Sequence, residues 1–157
     1  MDLTKYQHSD SVTIDAAPEA VYALVADVTR TGEFSPVCKS AQWLDDDHTR
    51  FTGDNVLPEM QWTTTCRVDV ADPSKEFTFT NLGMDGAREL VRWSYTLAAA
   101  GQGTTLGEHW EVLPGYGDFW ASVAPDSNVE DYLDSVVERT HSGMAETLAK
   151  IKAAAEG

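Results

Sequence analysis

Basic side chains are scarce in this chain: 11 Lys and Arg stand against 26 Asp and Glu, a net charge of -15 over 157 residues. A surface of that sign repels phosphate backbones and anionic headgroups, which disfavours nucleic-acid and peripheral-membrane roles and favours solubility. Cysteine is scarcer still. Cys38 and Cys66 stand alone, so no disulfide is demanded. The longest unbroken apolar run, Ala20 to Ala26, is too short to span a bilayer, so no integral membrane association is expected. The opening Met1-Asp2-Leu3-Thr4-Lys5 lacks the basic start and apolar stretch of a secretion signal. A cytoplasmic protein with reduced thiols is the expectation.

Several chemistries are absent too. His8, His48, His109 and His141 are scattered, with no partner at metal-ligand spacing. Asp45-Asp46-Asp47-His48 lacks the glycine and the terminal glutamate of a calcium loop, and reads as a solvated turn. No Gly-x-Ser-x-Gly elbow occurs. Gly101-x-Gly103-x-x-x-Gly107 joins two strands, which makes it a hairpin turn and not a dinucleotide loop. Cys66 reads as a packed thiol. No metal and no cofactor is expected.

What is present is a globular composition, 42% hydrophobic with 10% aromatic residues, enough for one domain over residues 1–157 with a substantial core. Ser11 to Asp15 alternates like a first strand. Pro18 and Glu19 open a helix whose stripe is Val21, Leu24, Val25 and Val28, and a second short helix falls across Thr31 to Pro36. Strand patterns follow over Lys39–Leu44, Arg50–Val56, Met60–Val70, Glu76–Asn81, Glu89–Leu97 and Thr104–Val112, with short connections that argue for an antiparallel meander. Trp62, Thr64, Cys66, Val68 and Val70 share one face of their strand. Ser127 and Glu130 read as a capping box before a long amphipathic helix, with Val129, Tyr132, Leu133, Val136, Val137, Thr140, Met144, Thr147, Leu148 and Ile151 on its stripe. Gly143 weakens that helix by about 1 kcal/mol relative to Ala, which suits a bend or a close contact.

One strand carries an unusual residue. Alternation puts Leu106, Glu108, Trp110 and Val112 on one face, and three of those four are apolar. Glu108 is therefore carried inward, at a cost of several kcal/mol if it stays charged and unpaired. It needs an Arg, a donor, water, a ligand or a proton. Water and ligand both require an internal space. His109, its neighbour, points to the opposite face.

The order of these elements resembles the START-like superfamily, also called the Bet v 1-like or polyketide cyclase/dehydrase and lipid transport group. The likeness rests on Ile14-Asp15-Ala16-Ala17-Pro18-Glu19-Ala20-Val21-Tyr22, on Asp27-Val28 through Glu33-Phe34-Ser35-Pro36, and on Phe51-Thr52-Gly53-Asp54-Asn55. It continues through Trp62-Thr63-Thr64, Trp93-Ser94-Tyr95 and Gly103-Thr104 to Glu108-His109-Trp110-Glu111. Phe34 stands where the family usually carries Trp. The resemblance implies an α+β helix-grip fold: a curved antiparallel sheet of six or seven strands around a long C-terminal helix, with two short helices after the first strand. It also implies a hydrophobic cavity between sheet and helix.

From this follow the candidate site residues. Trp62, Thr64, Phe79, Trp93, Tyr95 and Trp110 would form the sheet wall, and Val136, Val137, Thr140 and Met144 the helix wall. Glu108 and Asn55 would fix a polar end. Each aromatic could equally fill the core, and Glu108 and Asn55 could equally serve structural hydrogen bonds. The expected partner is a small hydrophobic or amphipathic molecule, lipid-like or polycyclic, in a pocket of roughly 300 to 1,000 Å³. The rival is a polyketide cyclase or dehydratase with Glu108 as general acid or base. A third reading is a regulatory protein that binds a partner protein. The aromatic stretch Tyr116–Trp120, placed between two elements, is either a gate over the cavity or a homodimer interface.

Overall fold

The computed structural model describes residues 1–157. Seven strands form one antiparallel sheet: β1 (Gln7–Ile14), β2 (Cys38–Trp43), β3 (Arg50–Leu57), β4 (Met60–Asp72), β5 (Glu76–Leu82), β6 (Glu89–Ala100) and β7 (Gly103–Val112). Their order in space is β1-β7-β6-β5-β4-β3-β2, so β2 to β7 are a simple meander and β1 closes the far edge against β7. The one long connection, from β1 to β2, holds α1 (Pro18–Val25), a 3-10 turn over Val28–Arg30 and α2 (Thr31–Phe34). Pro18 sits in the first turn of α1, where its missing N–H costs nothing. The chain finishes with α3 (Gly115–Val123) and α4 (Val129–Glu156).

This is the α+β helix-grip architecture. α4 is 28 residues long and lies across one face of the sheet. Two apolar clusters fix it there. Ile14, Val21, Val25, Phe51, Phe77 and Leu106 meet Leu148 and Ile151 near the C-terminal end. Tyr6, Trp110, Val112, Leu133 and Met144 form the second cluster at the other end. Gly143 packs so closely that a Cβ there would lie 3.3 Å from Pro36 Cγ, which accounts for glycine in mid-helix.

Three local readings are corrected. The N-cap of α4 is Asn128, not Ser127: its side chain accepts from the N–H groups of Glu130 and Asp131. Asn is as good a cap as Ser, and the sequence offers both in adjacent positions. Val70 leaves the face of Val68, because a bulge between them sets Val68 opposite Phe79 but Val70 opposite Thr78. Tyr116–Trp120 is helical, part of α3, despite glycines at 115 and 117. Its rings pack on one another and on α4, with Trp120 stacked on Tyr132 at 4.3 Å. That tertiary stacking outweighs the weak intrinsic helix preference of the segment. No helix is long and apolar enough to cross a membrane.

Candidate functional site

Alternation along five adjacent strands aims one set of side chains at α4, and between them is a cavity of about 270 Å³. That lies just below the expected range. The wall from β3 is Phe51, Gly53, Asn55 and Leu57, and from β4 Trp62, Thr64 and Cys66. β5 gives Phe77, Phe79 and Asn81; β6 gives Trp93 and Tyr95; β7 gives Glu108. Every second residue appears, as the pleat requires. α4 supplies Tyr132, Val136, Arg139, Thr140, Gly143, Met144, Thr147 and Ile151, and the α1–α2 segment closes the remaining side with Leu24, Val25, Val28 and Phe34.

Most of the anticipated wall is therefore assembled in one place: Asn55, Trp62, Thr64, Phe79, Trp93, Tyr95, Glu108, Val136, Thr140 and Met144. Trp110 and Val137 are not part of it. Trp110 points inward but is 4% exposed within the second core cluster, and Val137 packs against the same cluster. Both sit where α4 and the sheet are already in contact, leaving no space between. Asn81, Arg139 and Cys38 are among the wall residues not anticipated from the sequence. Asn81 was signalled by Phe77-x-Phe79-x-Asn81, and Arg139 by its place three residues after Val136. Cys38 had no such signal.

Polar groups on the wall are few and mostly spoken for. Asn55 Nδ2 donates to Thr64 Oγ1 at 2.8 Å and to the carbonyls of Gly53 and Trp62 at 3.2 and 3.4 Å. The Cys66 thiol donates to Asn81 Oδ1 at 3.2 Å. Glu108 is the exception. It is 4% exposed, and its Oε2 has no hydrogen-bond partner. Tyr95 lies directly opposite it in the β6–β7 ladder, and Asp10 opposite it in the β1–β7 ladder. Burial pushes the Glu108 carboxyl up to about 8; the Tyr95 hydroxyl tempers that rise and the Asp10 carboxylate adds to it. At neutral pH Glu108 is mostly a protonated acid, able to donate as well as accept.

The other titratable groups of the interior follow the same rule. Burial pushes the Tyr95 hydroxyl and the Cys38 and Cys66 thiols up, each toward its uncharged form. What surface Tyr95 retains faces the cavity, not bulk solvent. Among the wall residues Arg139 is the only cation, and it sits at the rim, paired with Glu59 at 2.8 Å. No cluster of three or more His, Cys, Asp or Glu side chains is poised to hold a metal. His109 is on the outer face, hydrogen-bonded to Ser9 Oγ at 2.7 Å.

A helix-grip sheet and terminal helix thus enclose a largely apolar space with one buried acid in its wall. This chain belongs to the polyketide cyclase / dehydrase and lipid transport family, whose profile matches residues 7–156. Among solved structures it is similar to a polyketide cyclase-like protein of Corynebacterium glutamicum, with 37% identity, 93% of this chain and 88% of that one covered, and a TM-score of 0.64. It shares the fold of two di-domain ARO/CYC proteins, StfQ of the steffimycin biosynthetic pathway (14% identity, TM-score 0.73) and BexL of the BE-7585A pathway (19%, 0.71). The alignments cover 99% and 97% of this chain but only 52% and 50% of those proteins, so the chain spans about half their length. A search of curated proteins gives no match.

Proposed function

We propose that this protein binds a small hydrophobic or amphipathic molecule, lipid-like or polycyclic, in the cavity beneath α4. The observation that carries this reading is the cavity of about 270 Å³ between sheet and α4, lined mostly by apolar side chains with the buried carboxyl of Glu108 in its wall. Glu108 Oε2 is buried without a partner, at a cost of about 1–3 kcal/mol, and a turn of the carboxyl toward the cavity would let a bound oxygen or nitrogen recover that. Aromatic and aliphatic walls supply the apolar contact, and Glu108 with Tyr95 orients the polar end. The family, which includes lipid transport, agrees with this. α3 stacks inward on Tyr132, itself a wall residue, which supports a gate over a subunit interface for Tyr116–Trp120.

A second reading, a cyclase or dehydratase using Glu108 as acid or base, is favoured by one observation. A carboxyl at about 8 is placed for proton transfer near neutral pH. Against it, the hydroxyl and thiols nearby are all pushed away from ionisation, so Glu108 would have to act alone.

Native mass spectrometry of the purified protein is the test. A co-purifying apolar small molecule is the expected result; an empty cavity together with no uptake of a fluorescent lipid ends the proposal. Glu108→Gln separates the two readings. A binding protein should keep its affinity within about tenfold, one neutral hydrogen bond. An enzyme should lose about 100-fold or more in turnover of a polyketide-like substrate.

A further inference from the structure

The rim of the cavity is chemically unlike its interior. Arg139, the single cationic wall residue, projects from α4 one turn beyond Val136, and Glu59 reaches it from the turn that joins β3 to β4. The pair spans the opening between helix and hairpin. Tyr132 stands beside both, since its hydroxyl feels the Arg139 and Glu59 charges. Leu57, Trp62 and Val136 continue the apolar wall directly inward from this point.

Two features make the pair exchangeable. Arg139 and Glu59 are 45% and 54% exposed, and an ion pair so wetted contributes little to stability. Glu59 also belongs to a turn, so its carboxylate can swing into water without disturbing a strand. Released from Glu59, the guanidinium keeps a planar fork of donors matched to a carboxylate or sulfonate. Deeper in, nothing welcomes a charge: the only other ionisable wall groups are an acid, phenols and thiols.

We infer that the ligand is an amphipathic organic anion, its apolar body inside and its acidic group held by Arg139 at the rim in place of Glu59. This rests on the cavity-binding reading and adds polarity to it. Glu59 acts as a stand-in for the missing acid and keeps the guanidinium neutralised while the cavity is empty. The net charge of -15 opposes anions at long range. At physiological salt, however, the screening length is about 8 Å, and the nearest charge decides.

Two dyes of one skeleton test this: anilinonaphthalene sulfonate, an anion, and N-phenylnaphthylamine, its neutral counterpart. Fluorescence titrations are run on the wild type, Arg139→Gln and Glu59→Gln. Arg139→Gln should weaken sulfonate binding about tenfold, the loss of a partly exposed charge-assisted bond, and leave the neutral dye within about twofold. Glu59→Gln should tighten the sulfonate severalfold and leave the neutral dye unmoved. The neutral dye also reports that each variant is folded. If both dyes bind and Arg139→Gln weakens both equally or neither, the inference falls and the cavity reading stands. If Glu59→Gln leaves sulfonate affinity unchanged, the exchange of Glu59 for a ligand acid is overturned. If neither dye binds the wild type, the cavity reading falls and takes this inference with it.

Discussion

Tyr95 and Glu108 face each other directly across the β6–β7 ladder, so a backbone register fixes the spacing between the cavity's phenol and its carboxyl. Side chains opposite one another on adjacent antiparallel strands have Cβ atoms about 5 Å apart. No loop has to order for the two groups to meet. Both are pushed by burial toward their uncharged forms.

The first prediction concerns stability against pH. Glu108 has its folded pKa raised, so its contribution is fully present below the ordinary carboxyl value of 4.5 and is lost as pH rises through about 8. Glu108→Gln abolishes that dependence. In chemical denaturation, the variant should gain on the wild type by about 1.4 kcal/mol for each pH unit across this window, up to several kcal/mol. Parallel curves at pH 5 and pH 8.5 would contradict it.

Tyr95→Phe should raise the Glu108 pKa further, because the hydroxyl is what tempers the effect of burial. A carbon-13 titration of the Glu108 carboxyl, wild type against variant, reads the shift. A fall in the variant's value would mean that Tyr95 does not stabilise the carboxylate.

His141 contributes to the loss of stability on the acid side. Its ring stacks on His8 at 3.8 Å and meets the edge of Trp110, and its Nε2 is buried without a partner. Burial, with the His8 ring beside it, holds its pKa below 6.5, against a smaller upward pull from Glu138. Its contribution is present above 6.5 and is lost as pH falls below that value. The melting temperature of the wild type relative to His141→Phe should therefore drop between pH 7.5 and pH 5.

Gly32→Ala should destabilise the fold by about 1–3 kcal/mol, the usual cost of overpacking. A Cβ at Gly32 runs into the carbonyl oxygen of Lys39, a backbone atom that no rotamer change can move. The variant's urea midpoint measures the loss, and an unchanged midpoint would show that α2 can lift off β2 freely.

The meander was legible from its short connections, and the terminal helix and the inward turn of Glu108 from the three-to-four and two-residue periods. The pairing of β1 with β7 was not, because no local pattern says which edge a first strand joins. The cavity itself was an implication of the family resemblance, and Asn55 partly so; the periods gave only the inward faces of Trp62, Thr64, Tyr95 and Val136. Period says which face a side chain takes, not whether anything lies opposite. Trp110 and Val137 share their neighbours' faces yet meet packed core, a distinction set by how sheet and helix diverge. Val70 was misplaced by one inserted residue that leaves no mark in hydrophobicity. α3 was hidden by its glycines and flanking prolines, since what makes it helical is a stack on Tyr132 far along the chain. Arg139 went unnoticed because a charge on a helix is ordinarily solvated.

The contact between Gly143 and Pro36 sets the ceiling of the chamber. Glycine there lets the terminal helix settle low over the sheet, and a larger residue would have to push Pro36 aside or lift the roof that carries Thr140, Met144 and Thr147. Capacity in this architecture can thus be altered at a single helix position, through the one hydrogen atom that Gly143 presents to Pro36.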